Sequence, residues 1–440
     1  MMSAHSLDEA YRHFQAGRLE EAERSCRLVL ETEAGHVEAN HLLGVIRFQQ
    51  GRAAEACDLL RRAAAAPGAT AEMHNNLGAV LNSLGATEGA QGAFERALAV
   101  RPDYPDALNN LGVIYRDQKK TEQAVAVFRR AIALNPDLPQ VKANLRAAYH
   151  DIVPAWHFAM LDDRKRNQAF EAAIRRAVVG KRVLDIGTGA GLLAMMAARA
   201  GAAHVTTCES VPIIGERARE IVAKNGLAGR ITIIAKPSTE LLVGRDLSER
   251  AEVLATETFA SDVIGEGILP LIEHAHANLL TPDAQIIPRA ASVMGFLAGG
   301  PQLTGMLFVG KIEGFDLSCF NDFAPPYLPV SLNGLPHDVL SDDIELARFD
   351  FRHKQFLMAR TRHAIAATAS GSCAGVAQWM RLELDAETRY ENRPSPEADF
   401  NGHWGHLLHR FPRIIPVKSG NIVPVAFRHD RRQIGIDLVE

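Results

Sequence analysis

The residue pair Leu-Gly recurs at Leu43-Gly44, Leu77-Gly78 and Leu111-Gly112, once every 34 residues. Alanine follows each glycine at a fixed offset, at Ala56, Ala90 and Ala124, and again at Ala63, Ala97 and Ala131. A large apolar residue falls between the alanines at Leu60, Phe94 and Phe128, and Pro102 and Pro136 close the last two units. Small residues at fixed spacing let paired helices approach closely, the large residue fills the gap between neighbours, and proline stops a helix. Residues 6–39 keep the phase through Ala22 but lack the Leu-Gly pair and the proline, as expected of a terminal unit.

The pattern resembles the tetratricopeptide repeat, which implies an all-α superhelix over residues 1–150 that binds peptide. Asn76, Asn110 and Asn144 recur at one position of the repeat. They resemble the asparagine ladder in the repeats of O-linked N-acetylglucosamine transferase, where amides grip an extended peptide. An amide offers both a donor and an acceptor, so it pairs with peptide groups of any sequence. The alternative is that these side chains are solvated or cap neighbouring turns.

A net charge of −4 in 440 residues makes neither nucleic acid nor an anionic membrane an expected partner. The five cysteines form no CxxC pair, which argues against a zinc site or a disulfide framework and fits a reducing, cytoplasmic setting. The N-terminus lacks a basic start and apolar run, and no stretch approaches the ~20 apolar residues that span a bilayer. A soluble intracellular protein is expected.

Beyond Tyr149 the period stops, and residues 181–209 read "KRVLDIGTGAGLLAMMAARAGAAHVTTCE". This is strand, glycine turn, helix and second strand, ending on Glu209, 24 positions after Asp185. Three places after Gly189, where a dinucleotide fingerprint wants glycine or alanine, stands Leu192. The chain instead reads Asp185-x-Gly187-x-Gly189-x-Gly191. That resembles the first motif of class I S-adenosylmethionine-dependent methyltransferases. Glycine lets backbone approach a cofactor, the following helix N-terminus suits a carboxylate, and Glu209 can accept two ribose hydroxyls. Ser238 and Thr239 follow a later strand, at the place that lines the adenine pocket in that family.

Three further stretches resemble the protein arginine methyltransferases. In "ETFASDVIGEGILP", Glu257 and Glu266 match the spacing and place of that family's double-glutamate hairpin. "WHFAMLDDRKRNQAF" resembles its cofactor-covering helix. That match implies cofactor contacts for His157 and Met160, and a methionyl-carboxylate partner in Arg166. "NGHWG" carries His403-Trp404, resembling the family's Thr-His-Trp substrate loop with Gly402 in place of threonine, and implies that His403 pairs with Asp163. "STELLVG", "IGEGILP" and "EHAHANLL" look most like types 7 and 9 of the family, the latter also carrying tetratricopeptide repeats. Two departures bear on substrate docking and oligomeric state, including whether a homodimer forms. The chain has one catalytic module where those types have two, and no tyrosine-rich helix motif precedes His157. His274 and His276 read as helix-packing or surface residues, and no metal site is expected.

The chemistry accounts for the residue types. The donor is a sulfonium, and a guanidinium stays protonated because its pKa exceeds ~12. Two unit charges ~4 Å apart repel by on the order of 4 kcal/mol at an effective dielectric of ~20. Paired carboxylates offset that and orient the planar guanidinium. The proton has two candidate routes, Glu266 or Asp163–His403. The resemblance thus implies a multi-domain chain with a repeat array (1–150), a cofactor-covering helix (151–180), a Rossmann-like domain (181–287) and a β-barrel substrate domain (288–440). Its expected activity is S-adenosylmethionine-dependent methylation of arginine in a protein substrate recruited by the repeats. The alternatives are a different acceptor, or a scaffold that does not turn over.

Overall fold

The computed structural model describes residues 2–153, 156–394 and 404–439. The chain forms two compact units, Met1–Ala155 and Trp156–Glu440. In the first, α1 (Met2–Gln15) precedes α2 (Leu19–Thr32), and α3 (Val37–Gln49) precedes α4 (Ala53–Ala64). The pairs continue as α5 (Ala71–Ser83) with α6 (Thr87–Val100) and α7 (Pro105–Asp117) with α8 (Thr121–Leu134), followed by α9 (Pro139–Ile152). The turn inside each pair needs one left-handed residue, and the repeat supplies it at Gly17, Gly51, Gly85 and Lys119. Three of the four are glycine, which carries no Cβ penalty there. Lys119 is the one residue in this series that takes the strain.

The spaced small residues act as the sequence analysis expects. Ala56, Ala90 and Ala124 are fully buried, as are Leu60 and Phe128, with Phe94 nearly so. A Cβ at Gly78 would stand 2.5 Å from a Phe94 ring carbon, and one at Gly44 would stand 2.7 Å from Leu60 Cγ. The glycine is therefore a helix-contact requirement. Proline at the first turn of α7 and α9 costs no hydrogen bond, because the N–H it lacks has no intrahelical acceptor there.

The second unit opens with α10 (Trp156–Asp162) and α11 (Arg164–Ala177). Then come β1 (Arg182–Ile186), α12 (Leu192–Arg199), β2 (His204–Cys208), α13 (Pro212–Lys224) and β3 (Ile231–Ile234). β4 (Ala251–Thr256), α14 (Ile268–Asn278) and β5 (Leu280–Ile287) complete an α/β layer. Its sheet is parallel throughout, in the order β3-β2-β1-β4-β5. The order reverses between β1 and β4, so the loops leaving their carboxyl ends flank one crevice.

After Ile287 the sheets are antiparallel. The strands are β6 (Ala290–Gly299), β7 (Lys311–Ile312), β8 (Phe315–Asp316), β9 (Tyr327–Val330), β10 (Asp338–Val339) and β11 (Ile344–Asp350). They continue as β12 (Ala359–Ala366), β13 (Gly371–Glu383), β14 (Arg389–Glu391), β15 (His406–Val417), β16 (Ile422–His429) and β17 (Ile434–Leu438), with α15 (Pro301–Leu307) after β6. One sheet runs β10-β6-β13-β15-β9 and a separate one runs β12-β16-β17. The region expected to form a β-barrel is antiparallel, but among the described residues its ladders do not close. Pro412 and Pro416 in β15 and Pro424 in β16 have no N–H to extend a ladder toward a further strand. A single apolar core joins the two halves of this unit, running from Phe170 and Leu184 through Val293 and Val376 to Phe427. No helix among the described residues is long and apolar enough to cross a membrane.

Adding one methyl to a tight helix contact tests the repeat packing. Gly78→Ala is expected to cost about 1–3 kcal/mol, read as a lower urea midpoint of the 440-residue chain. Combining it with Phe94→Leu is expected to return part of that loss.

Candidate active site

The crevice between β1 and β4 is lined on one side by a glycine turn. Gly187, Gly189 and Gly191 all have positive φ, at +88°, +49° and +82°. At Gly189 an added Cβ would meet nothing within 4 Å, so the backbone there faces open space. At Gly187 it would come within 3.0 Å of Thr258 Cγ2, which shows how closely the loop after β4 abuts the turn after β1.

Glu209 follows β2 and is buried, with its oxygens accepting from the N–H groups of Gly189 (3.0 Å) and Val211 (3.1 Å). Each carboxylate oxygen keeps acceptor capacity for a further donor. Asp185, at 1 % exposure, accepts from the Thr207 hydroxyl at 2.7 Å, and Thr207 in turn meets Thr188 at 2.6 Å. Its Oδ1 has no partner among the described residues, and burial raises the carboxyl to about 7, against the opposing Thr207 bond. An orphan acceptor, an open glycine turn and a terminal acid fit the nucleoside cofactor implied by the glycine pattern. Ser238, half-buried, and Thr239, exposed, begin the short 3-10 turn Ser238–Glu240 after β3.

Across the crevice, Glu257 leaves β4 with a side chain only 7 % exposed. Its two oxygens face the Nε and Nη2 of Arg166, a side-on approach with Nε–H donating to Oε1. Arg166 is itself 2 % exposed, and burial lowers its guanidinium to about 10, which leaves it protonated at neutral pH. Expected on a methionyl carboxylate, the Arg166 side chain instead meets Glu257 and the Asn167 amide oxygen.

Glu266 stands at the other end of the loop, exposed, just before Gly267 and the N-terminus of α14. Loss of solvent in the crevice, and secondarily the Asp262 charge, hold its carboxyl above the usual range. Asp262 accepts from the Gly265 N–H at 2.7 Å and so shapes the turn between the glutamates.

Asp163 caps α11 by accepting from the Arg166 N–H at 2.9 Å, and its second oxygen accepts from the Tyr390 hydroxyl at 2.8 Å. The start of the helix that carries Arg166 is thereby tied to β14. His403 and Gly402 lie outside the described residues, so the expected Asp163–His403 pairing does too. Trp404 is buried, packs against Tyr390 with ring centres 5.5 Å apart, and donates from Nε1 to the Phe259 carbonyl at 2.9 Å. It therefore holds the backbone of the glutamate loop. His157 and Met160 lie one turn apart on α10, both half-buried. His276 meets the Phe351 carbonyl at 2.9 Å, in keeping with a packing role.

In the repeat unit the three asparagines make rungs between neighbouring repeats. Asn76 Nδ2 meets His41 Nε2 at 2.9 Å, Asn110 donates to Asn75 at 3.0 Å, and Asn144 donates to Asn109 at 2.8 Å. The amide nitrogens knit adjacent repeats, while the Oδ1 atoms of Asn76 and Asn110 accept from no group in these rungs.

Sequence reading missed Tyr390, and it missed Gln378, whose Nε2 donates to the Ser261 carbonyl in the glutamate loop at 2.9 Å. A glutamine inside the apolar run "CAGVAQWM" was a usable signal, since a buried amide needs partners.

Comparison with known proteins places this geometry. Residues 7–70 and 83–139 match the tetratricopeptide repeat family, and residues 168–287 match the family described as ribosomal protein L11 methyltransferase. The structure of a Trypanosoma brucei PRMT1 enzyme–prozyme heterotetramer with AdoHcy aligns at TM-score 0.58 and 23% identity, over 65% of this chain and 93% of that one. Arabidopsis thaliana protein arginine methyltransferase 10 aligns at 0.53 and 17%, over 64% and 91%. At these identities the likeness is one of fold. Protein arginine N-methyltransferase 7 of Drosophila melanogaster is 30% identical over 64% of this chain and 47% of its own length, so the chain spans about half of that relative. The rat protein of the same name is 34% identical, over 62% and 44%. An arginine N(omega)-methyltransferase of Streptomyces achromogenes subsp. streptozoticus is 39% identical over 270 residues, which are 61% of this chain and 74% of that protein. On that coverage and identity, the chain belongs to the arginine N-methyltransferase family.

Proposed function

We propose that this protein is an S-adenosylmethionine-dependent arginine N-methyltransferase whose repeat array recruits a protein substrate. The observation that carries the reading is the fork on Glu257: a nearly dry carboxylate at the switch-point crevice already seats a guanidinium through two nitrogens. S-adenosylmethionine, held by Gly187, Gly189, Gly191, Glu209 and Arg166, with His157, Met160, Ser238 and Thr239 around it, supplies a methyl group on a sulfonium. Asp185 keeps the turn after β1 in shape through Thr207.

With Arg166 turned from Glu257 to the methionyl carboxylate, Glu257 orients the acceptor guanidinium in its plane, and Glu266 supplies the second negative charge. The new N–C bond would form as the methyl's bond to sulfur breaks and its electron pair stays on sulfur as a neutral thioether; one proton is then lost from the acceptor nitrogen, and Glu266, with its raised carboxyl, takes it. Asp163 fixes Arg166 and, with His403, stays the second route for that proton. Trp404 lines the acceptor side by holding the Phe259 backbone. The array raises the local concentration of a tethered acceptor, with the Asn76 and Asn110 carbonyl oxygens offered to the donors of a bound peptide and Asn144, whose oxygen accepts from Gln140, continuing the ladder.

A homodimer and a cytoplasmic setting complete the reading. Phe315, Phe320 and Phe323 are all at least 66 % exposed along the segment after α15, a surface suited to a second subunit. All five cysteines are free.

The Streptomyces relative is named for arginine and not for protein arginine, which favours a second reading with free arginine as acceptor. Labelled cofactor offered with free arginine, arginine peptides or extract proteins, followed by amino-acid analysis, separates the two. Methylarginine in peptide or protein is the expected product, methylarginine only from the free amino acid selects the second reading, and none from any source contradicts both.

Glu257→Gln and Glu266→Gln are each expected to lower turnover by ~10²-fold or more, the first because losing a desolvated charge partner costs ~2–5 kcal/mol and the second because it removes the proton acceptor. The carboxylate form of Glu266 is needed, so activity falls as pH drops through its raised value. Asp262→Asn keeps the bond to Gly265 but removes the neighbouring charge. It is expected to move the acid limb of kcat/KM to lower pH, measured as a pH–rate profile.

A further inference from the structure

Gln378 lies on β13 and is fully buried in a strand of apolar residues. Its Nε2 donates to the Ser261 carbonyl, midway between Glu257 and Glu266, at 2.9 Å. Its Oε1 faces His409 Nε2 on β15 at 2.8 Å, and His409 is 1 % exposed. A carbonyl only accepts, so the amide nitrogen must point to Ser261 and the amide oxygen must accept from an Nε2–H of His409. Burial holds His409 near 4, hence neutral, so one tautomer serves this chain of bonds. The loop it grips is not relaxed: Val263 sits at φ +75°, a left-handed setting that a β-branched residue keeps only when its surroundings enforce it.

We propose that Gln378 and His409 are positioning residues for methyl transfer, which lock the backbone of the glutamate loop so that Glu257 and Glu266 face the acceptor together. This rests on the methyltransferase reading above. Trp404 holds Phe259 on the Glu257 side of the loop, and the His409–Gln378 pair holds Ser261 at its middle. A displacement of about 1 Å at such a site lowers turnover by up to ~10²-fold without touching the reacting atoms.

Three variants test it. Gln378→Glu keeps the size and the acceptor for His409 but presents no donor to Ser261. His409→Phe removes the donor to Gln378, and His409→Gln restores one. Hydrogen exchange across residues 257–266 is expected to quicken at least about 5-fold in Gln378→Glu and His409→Phe, with kcat at saturating acceptor down about 10-fold. Dissociation constants for S-adenosylmethionine are expected to stay within about 2-fold, and His409→Gln to recover most of both losses.

Loop exchange and kcat within about 2-fold of the parent in Gln378→Glu would overturn the proposal. So would exchange that quickens equally throughout residues 182–287, because that marks general loosening. A parent protein that makes no methylarginine while its loop still responds selectively contradicts the methyltransferase reading and leaves the anchoring of the loop standing.

Discussion

A carboxylate kept almost dry must have a cation, and the second unit is arranged around that requirement at Glu257. Burying one charge alone costs several kcal/mol, so the pocket is stable only while a guanidinium occupies it. Arg166 meets the requirement through a fork of two nitrogens. The planar match between guanidinium and carboxylate is what an acceptor arginine needs as well, and a lysine ammonium could not reproduce it.

The two halves of the unit divide the work. The parallel sheet brings the ends of β1 and β4 together at its switch point, which sets the glycine turn against the glutamate loop with Gly187 and Thr258 in near contact. The antiparallel half then reaches back over the crevice. Tyr390 secures Asp163 and with it the start of α11, Trp404 secures Phe259, and Gln378 secures Ser261. The Trp404 and Gln378 bonds land on backbone carbonyls and the Tyr390 bond on a helix cap, so their effect is to remove freedom from the site. A shared apolar core makes that coupling rigid.

What was legible in the sequence was local or redundant. The repeat showed itself because the same small and large residues return every 34 positions, and each repeat restates the packing rule. The cofactor turn was legible because three glycines, two strands and a terminal acid stand within 29 residues, 181–209. Long-range partners were not. Gln378 lies 117 residues from Ser261, Trp404 lies 145 from Phe259, and Tyr390 lies 227 from Asp163. No spacing rule reaches that far. The asparagine rungs fall between these cases, since their partners lie 35 residues away, one repeat plus one position. Closure of the antiparallel region was not legible either, because strand content was readable but which edges find partners was not.

The central claim is that Glu257 and its loop recognise a charged, planar guanidinium. Citrulline has the shape of arginine without the charge, so competition binding of the two side chains, as free amino acids and within one peptide, tests it most directly. The account predicts that arginine binds at least ~10²-fold more tightly than citrulline, and that Glu257→Gln abolishes the difference. Equal binding of arginine and citrulline by the unmodified protein would contradict it.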